Sequence, residues 1–173
     1  MYAPGVPPTR RLPVLQNASS DDERPSWHWV PIGVAFMASI WAPLAMVASW
    51  ASAAWVRRIV GELPPDELGL RLADADAGDR FWVAFAVTGL PIVAFALACL
   101  AGGALVGRFG GRAGAREAAF AGALTSAAGA GLTLLQGGAP AALAGLVVLA
   151  PVGTLGAWLG GRFGWRLRAR RAL

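Results

Sequence analysis

Residues 118–161 read AAFAGALTSAAGAGLTLLQGGAPAALAGLVVLAPVGTLGAWLGG, 44 positions without Asp, Glu, Lys, Arg or His. A helix crossing the hydrocarbon core of a bilayer needs roughly 20 apolar residues. The stretch is therefore long enough for two crossings. The run Gln136-Gly137-Gly138-Ala139-Pro140 marks the turn between them, because glycine and proline interrupt helices there. The spacing predicts helices over residues 117–135 and 141–161.

Two further stretches lack ionisable residues. They cover residues 30–56 and 81–107, 27 positions each, and each holds one crossing. Only 14% of the chain is charged, against about 25% in a soluble domain. Buried helices of a soluble protein usually keep a polar face repeating near 3.6 residues. These stretches are apolar or small all round. The expected fold is an all-α integral membrane protein with four transmembrane helices, over residues 29–55, 81–107, 117–135 and 141–161. Pro43, Pro91 and Pro151 fall inside these helices and should bend them.

The domain plan follows from the charges. Residues 1–28 form a proline-broken polar tail, 29–161 the transmembrane domain, and 162–173 an Arg-rich tail. An acidic loop over 57–80 holds Glu62, Asp66, Glu67, Asp74, Asp76 and Asp79. Within it, Pro64-Pro65-Asp66 opens a short helix carrying Leu68, Leu70 and Leu72. The order Asp74-Ala75-Asp76-Ala77-Gly78-Asp79 lacks the full spacing and final Glu of a calcium loop, so a solvated acidic loop is expected. The first apolar stretch begins too late and runs too long for a standard signal peptide. Ala51-Ser52-Ala53 matches a cleavage pattern whose use would remove one helix.

All fifteen basic residues are Arg. Arg108, Arg112 and Arg116 cluster between the second and third helices, and Arg162, Arg166, Arg168, Arg170 and Arg171 follow the fourth. Such residues anchor helices at lipid headgroups and set orientation, and cytoplasmic segments carry the excess of Lys and Arg. Both termini are then expected in the cytoplasm, with the acidic loop and the 136–140 turn outside. Arg57 and Arg58 oppose this orientation but are outnumbered. The clustering at helix ends fits a membrane and anionic lipids better than nucleic acid. The absence of Lys, with abundant Ala, Gly, Pro and Arg, points to a GC-rich bacterial genome and so to a bacterial inner membrane.

A local repeat links the second and fourth helices. Residues 103–112 (GALVGRFGGR) and 157–166 (AWLGGRFGWR) match at six of ten positions, with Gly-Arg-Phe-Gly identical. The match raises the possibility of two duplicated helical hairpins. Gly103, Gly107 and Gly111 are spaced by four, as are Gly156, Gly160 and Gly164, and such residues share a helix face. Without side chains there, a second backbone can approach closely. Ala119, Ala123, Ala127 and Gly131 offer a similar face on the third helix, broadened by Gly122 and Ser126. The Gly-Arg-Phe-Gly run and the following Arg116-Glu117-Ala118-Ala119-Phe120-Ala121-Gly122 resemble a broad class of small glycine-rich bacterial membrane proteins over residues 100–131. The resemblance implies a hairpin and no biochemical activity.

No catalytic arrangement emerges. His28 is the only histidine and precedes the first helix, so a site needing two histidines cannot form within one chain. Cys99, the only cysteine, lies within an apolar run and reads as a small buried hydrophobe. Ion-coupled carriers usually place ionisable residues inside the membrane, and these helices carry none there. The expected role is an accessory or structural subunit of a larger membrane protein complex, with no enzyme activity, cofactor or metal. A homo-oligomeric channel or small transporter component is the alternative, favoured if Ser39, Thr88, Ser126 and Thr154 converge on one polar path.

Overall fold

The computed structural model describes residues 26–62, 65–111 and 113–170. Most of the N-terminal tail, Arg112 and Arg171 fall outside the described residues. Helix α1 (Trp29–Val60) follows a short 3-10 turn at Ser26–His28. Helix α2 (Pro65–Asp74) lies in the acidic loop. Helix α3 (Ala77–Ala84) passes through a π-turn at Phe85–Gly89 into α4 (Leu90–Phe109). Helix α5 (Ala115–Ala169) carries the remainder. The described residues are all-α, and four helices are long and apolar enough to cross a membrane: Ser26–Val60, Ala77–Phe109, Ala115–Leu135 and Gly137–Ala169.

The first two spans exceed their expected limits for local reasons. Arg57 and Arg58 sit in the last turn of α1, where positive charge meets the negative end of the helix. The second span starts inside the acidic loop, because the Asp76 carboxylate accepts from the Asp79 N–H at 2.7 Å and caps α3. The π-turn immediately precedes Pro91, and the Leu90 N–H reaches back five residues to the Phe85 carbonyl. Pro91 has no N–H for the preceding turn, and the wider turn lies where that bond would have formed.

The third and fourth spans are two helices joined at Gly138, whose φ of 76° is left-handed. A straight helix of 55 residues would reach about 80 Å. Instead the chain reverses. Ser126 meets Leu149, Gly122 meets Gly153, and Ala118 meets Gly161, so one residue number rises as the other falls. This is an antiparallel helical hairpin with its turn at Gly138.

The first span runs antiparallel to the second. Gly33 packs on Val106, Gly102 packs on Met37, and Trp41 meets Phe95 edge-on with ring centroids 5.9 Å apart. Gly33 also packs on Ala121 of the third span. The second and fourth spans run parallel, with Gly103 against Ala157 and Gly107 against Gly161. Around the bundle the order is first, second, fourth, third. Met37, Phe95, Cys99, Ala121 and Ala157 form the central cluster, with at least one residue from each span. The third span is the least apolar of the four and the most buried. A weakly hydrophobic helix gains least from lipid and is placed where protein covers it.

Candidate functional site at the glycine seam and the basic end

The parallel contact between the second and fourth spans is a backbone-to-backbone seam. A Cβ on Gly103 would overlap the Ala157 carbonyl oxygen, and one on Gly107 would overlap that of Gly161. From the other side, a Cβ on Gly160 would strike the Leu100 carbonyl, and one on Gly164 the Ala104 carbonyl. At Gly156 it would lie 3.3 Å from the Ala96 carbonyl oxygen, a tight contact without overlap. The residues of the repeat thus face each other: Gly107 and Gly161 are equivalent positions of Gly-Arg-Phe-Gly and are in contact.

Gly111 does not join the seam. It lies beyond the end of α4 in a turn, with φ of 58° and open space where a Cβ would be. Its glycine serves the backbone conformation rather than packing. The face expected on the third span also needs correction. The buried positions are Ala118, Ala121, Gly122, Thr125, Ser126, Gly129 and Ala130. Ala119 and Ala123 are half-buried, while Ala127 and Gly131 are exposed. Small residues occur nearly all round this helix, so four-residue spacing fits more than one face. Tertiary contacts decide among them. Gly122 packs on the Gly153 backbone, and Ser126 Oγ lies 2.8 Å from the Leu149 carbonyl oxygen. The partner ridge Gly153, Ala157 and Gly161 has the same spacing and was the missed signal.

The polar positions in the spans do not share a path within one copy. Ser126 Oγ is 2.9 Å from its own-turn acceptor Gly122 O, besides Leu149 O. Thr125 donates to Ala121 O at 2.8 Å. Ser39 and Thr88 lie on exposed faces, and Thr154 is half-buried. Cys99 is fully buried in the core. Among the described residues, no three His, Cys, Asp or Glu side chains gather as a metal site.

Arg108, Arg116, Arg162, Arg166, Arg168 and Arg170 lie at one end of the bundle. Gly164 packs beside the Arg108 backbone, and Trp29 packs against Val106, Ala113 and Ala118. The start of the first span, the end of the second, the start of the third and the end of the fourth therefore meet. Arg108 is half-buried with its guanidinium 5.3 Å from the Phe109 ring centroid. Arg162 lies 4.8 Å from the Trp158 centroid. Arg116, Arg166 and Arg170 are exposed. Arg168 is half-buried, and its Nη1 has no hydrogen-bond partner among the described residues. Among the described residues one acid stands here, Glu117, whose Oε2 accepts from the Gly114 N–H at 2.8 Å. A groove of ~300 Å³ opens between Gly114, Ala115, Arg116, Glu117, Arg162 and Trp165.

The opposite end is mixed in charge. Arg57, Arg58, Arg71 and Arg80 accompany Glu62, Glu67, Asp74, Asp76 and Asp79. A smaller cleft of ~210 Å³ lies there among Ile59, Val60, Arg71, Asp74, Ala75 and Asp79. Trp55 and Trp82 stack nearby, 5.8 Å between centroids. Comparison with protein-family models, with curated proteins and with solved structures finds no match for this chain.

Proposed function

We propose that this membrane-spanning bundle is an accessory or structural subunit of a larger membrane protein complex, binding a partner helix along the outer side of its third span. The observation that carries this reading is the stripe Ala123, Ala127 and Gly131, half-buried at Ala123 and exposed at the other two. A Cβ on Gly131 would meet nothing within 4 Å. The seam glycines Gly103, Gly107, Gly160 and Gly164 are all closed by the chain's own backbone. Those seam faces are therefore spent on folding, and the third span keeps the small-residue stripe available to a second protein. Around it, Leu124 and Leu135 are exposed and offer apolar flanks.

The reading gives the chain a binding role rather than a catalytic one. Its basic end faces the cytoplasm, as the excess of Arg favours, and composition points to a bacterial inner membrane. The test is copurification from native membranes in mild detergent, comparing the wild-type chain with Ala127→Leu and Gly131→Leu. A fixed-stoichiometry partner membrane protein lost in both variants, with melting temperature unchanged, supports the reading. Recovery as a monomer or as a ring of itself overturns it. A partner held equally by all three chains overturns the stripe as its contact.

A further inference from the structure

We infer that the groove between the start of the third span and the end of the fourth binds the phosphate of an anionic phospholipid headgroup. Arg116 and Arg162 come from opposite arms of the hairpin. They line one groove because the chain reverses at Gly138. The groove holds one carboxylate, Glu117, and that group is already engaged by the Gly114 N–H. The same engagement serves the N-terminus of α5, so the helix end is not the free element. Arg116, near the Glu117 carboxylate, and Arg162, over the Trp158 ring, place two Arg side chains on the lining of a ~300 Å³ space. Paired guanidiniums suit phosphate oxygens, which they can contact with several donors at once.

The surroundings favour a lipid over a soluble anion. Each Arg has an aromatic side chain one turn deeper in the membrane. Phe120 follows Arg116 by four residues and is 67% exposed. Trp158 precedes Arg162 by four residues and lies under its guanidinium. Charge above and an aromatic wall below match a phosphate joined to acyl chains. Trp165 lines the groove and is exposed, which puts an indole N–H donor at headgroup level. A zwitterionic headgroup would bring a cation toward two guanidiniums, so anionic headgroups are preferred. The inference does not rest on the partner reading above, since it needs only the bundle and its membrane.

The experiment is native mass spectrometry of the purified, delipidated full chain, titrated with phosphatidylglycerol, phosphatidylcholine or inorganic phosphate. Phosphatidylglycerol is expected to bind most tightly. The double substitution Arg116→Gln with Arg162→Gln should weaken it about 30-fold, from the worth of two Arg side chains near an anionic surface. The control pair Arg57→Gln with Arg58→Gln changes net charge equally at the far end and should leave affinity within about twofold. Trp165→Phe should cost a smaller factor. If the double variant melts early, Arg162→Gln alone, at an exposed position, is judged by the same comparison. Equal weakening by both pairs overturns the site as a mere charge effect. Equal binding of phosphatidylcholine, or displacement of phosphatidylglycerol by inorganic phosphate at matched concentration, overturns the lipid assignment.

Discussion

Gly107 of the second span lies directly against the carbonyl oxygen of Gly161 in the fourth, leaving no room for a Cβ between the two backbones. Gly161 is held from its other side as well, with Ala118 and Ala115 of the third span placed 2.8 and 2.9 Å from where its own Cβ would be. Three spans therefore converge on one glycine pair. A methyl group at Gly107 must push backbone rather than a pliable side chain. Gly107→Ala and Gly160→Ala are expected to destabilise the bundle by about 1–3 kcal/mol each. Gly131→Ala fills open space and improves helix propensity, so it should be neutral or stabilising by up to ~1 kcal/mol. Thermal melting of the three variants in one detergent checks this, and equal losses would remove the seam from the account.

Ser126 supplies the polar link between the arms of the α5 hairpin. Its single hydroxyl hydrogen is shared between Gly122 O at 2.9 Å and Leu149 O at 2.8 Å. The first bond lies within its own helix and the second crosses to the next. Ser126→Ala should cost about 0.6–1 kcal/mol, the usual worth of an interhelical hydrogen bond in a membrane protein. Among the described residues Thr133 bonds only to Gly129 O in its own helix, at 3.0 Å, so Thr133→Val should be near neutral. Unfolding measured by titration with a denaturing detergent separates the two. A larger loss at Thr133 would mean that the hairpin is not held at Ser126.

These contacts locate the limit of what the sequence carried. Length without charge was enough for four spans, because desolvating an ionisable group in lipid is expensive and its absence is informative. The break at Gly138 falls inside the expected turn because glycine and proline cluster there. The face of the third span was legible only in part, through Gly122 and Ser126. Ala119, Ala123, Ala127 and Gly131 have the same spacing as Ala118, Gly122 and Ser126, and only contact with Gly153 and Leu149 selects the second set. Gly111 continued the spacing of Gly103 and Gly107 but lies beyond the helix end, where periodicity no longer describes the chain. The groove combines residues 46 positions apart, Arg116 and Arg162, which no local pattern brings together.

The start of the third span depends on Glu117. Its carboxylate accepts the Gly114 N–H, one of the donors that a helix terminus leaves unpaired, and the Ser26 side chain lies beside it. The same side chain thus ties the first span to the third. Glu117→Ala should lose about 0.5–2 kcal/mol, the range for loss of an N-terminal cap. Glu117→Gln keeps the shape and one acceptor and should lose less. Melting temperatures of both variants, in detergent at one pH, provide the check. Equal stability of all three chains would show that neither the Gly114 cap nor the contact with Ser26 contributes.

Orientation is open to a chemical test because the one native thiol is silent. Cys99 is fully buried at the centre of the bundle, so a membrane-impermeant maleimide should not reach it in the wild-type chain. Asp74 and Arg166 lie at opposite ends, on α2 and in the last turns of α5, and Arg166 is exposed. In intact cells Asp74→Cys should label at once, whereas Arg166→Cys should label only after the membrane is opened. The reverse pattern would place the Arg-rich end outside and overturn the cytoplasmic assignment of both termini. It would leave the bundle intact, because the contacts of Gly33, Gly107 and Gly164 fix which span ends meet without reference to the side of the membrane they face.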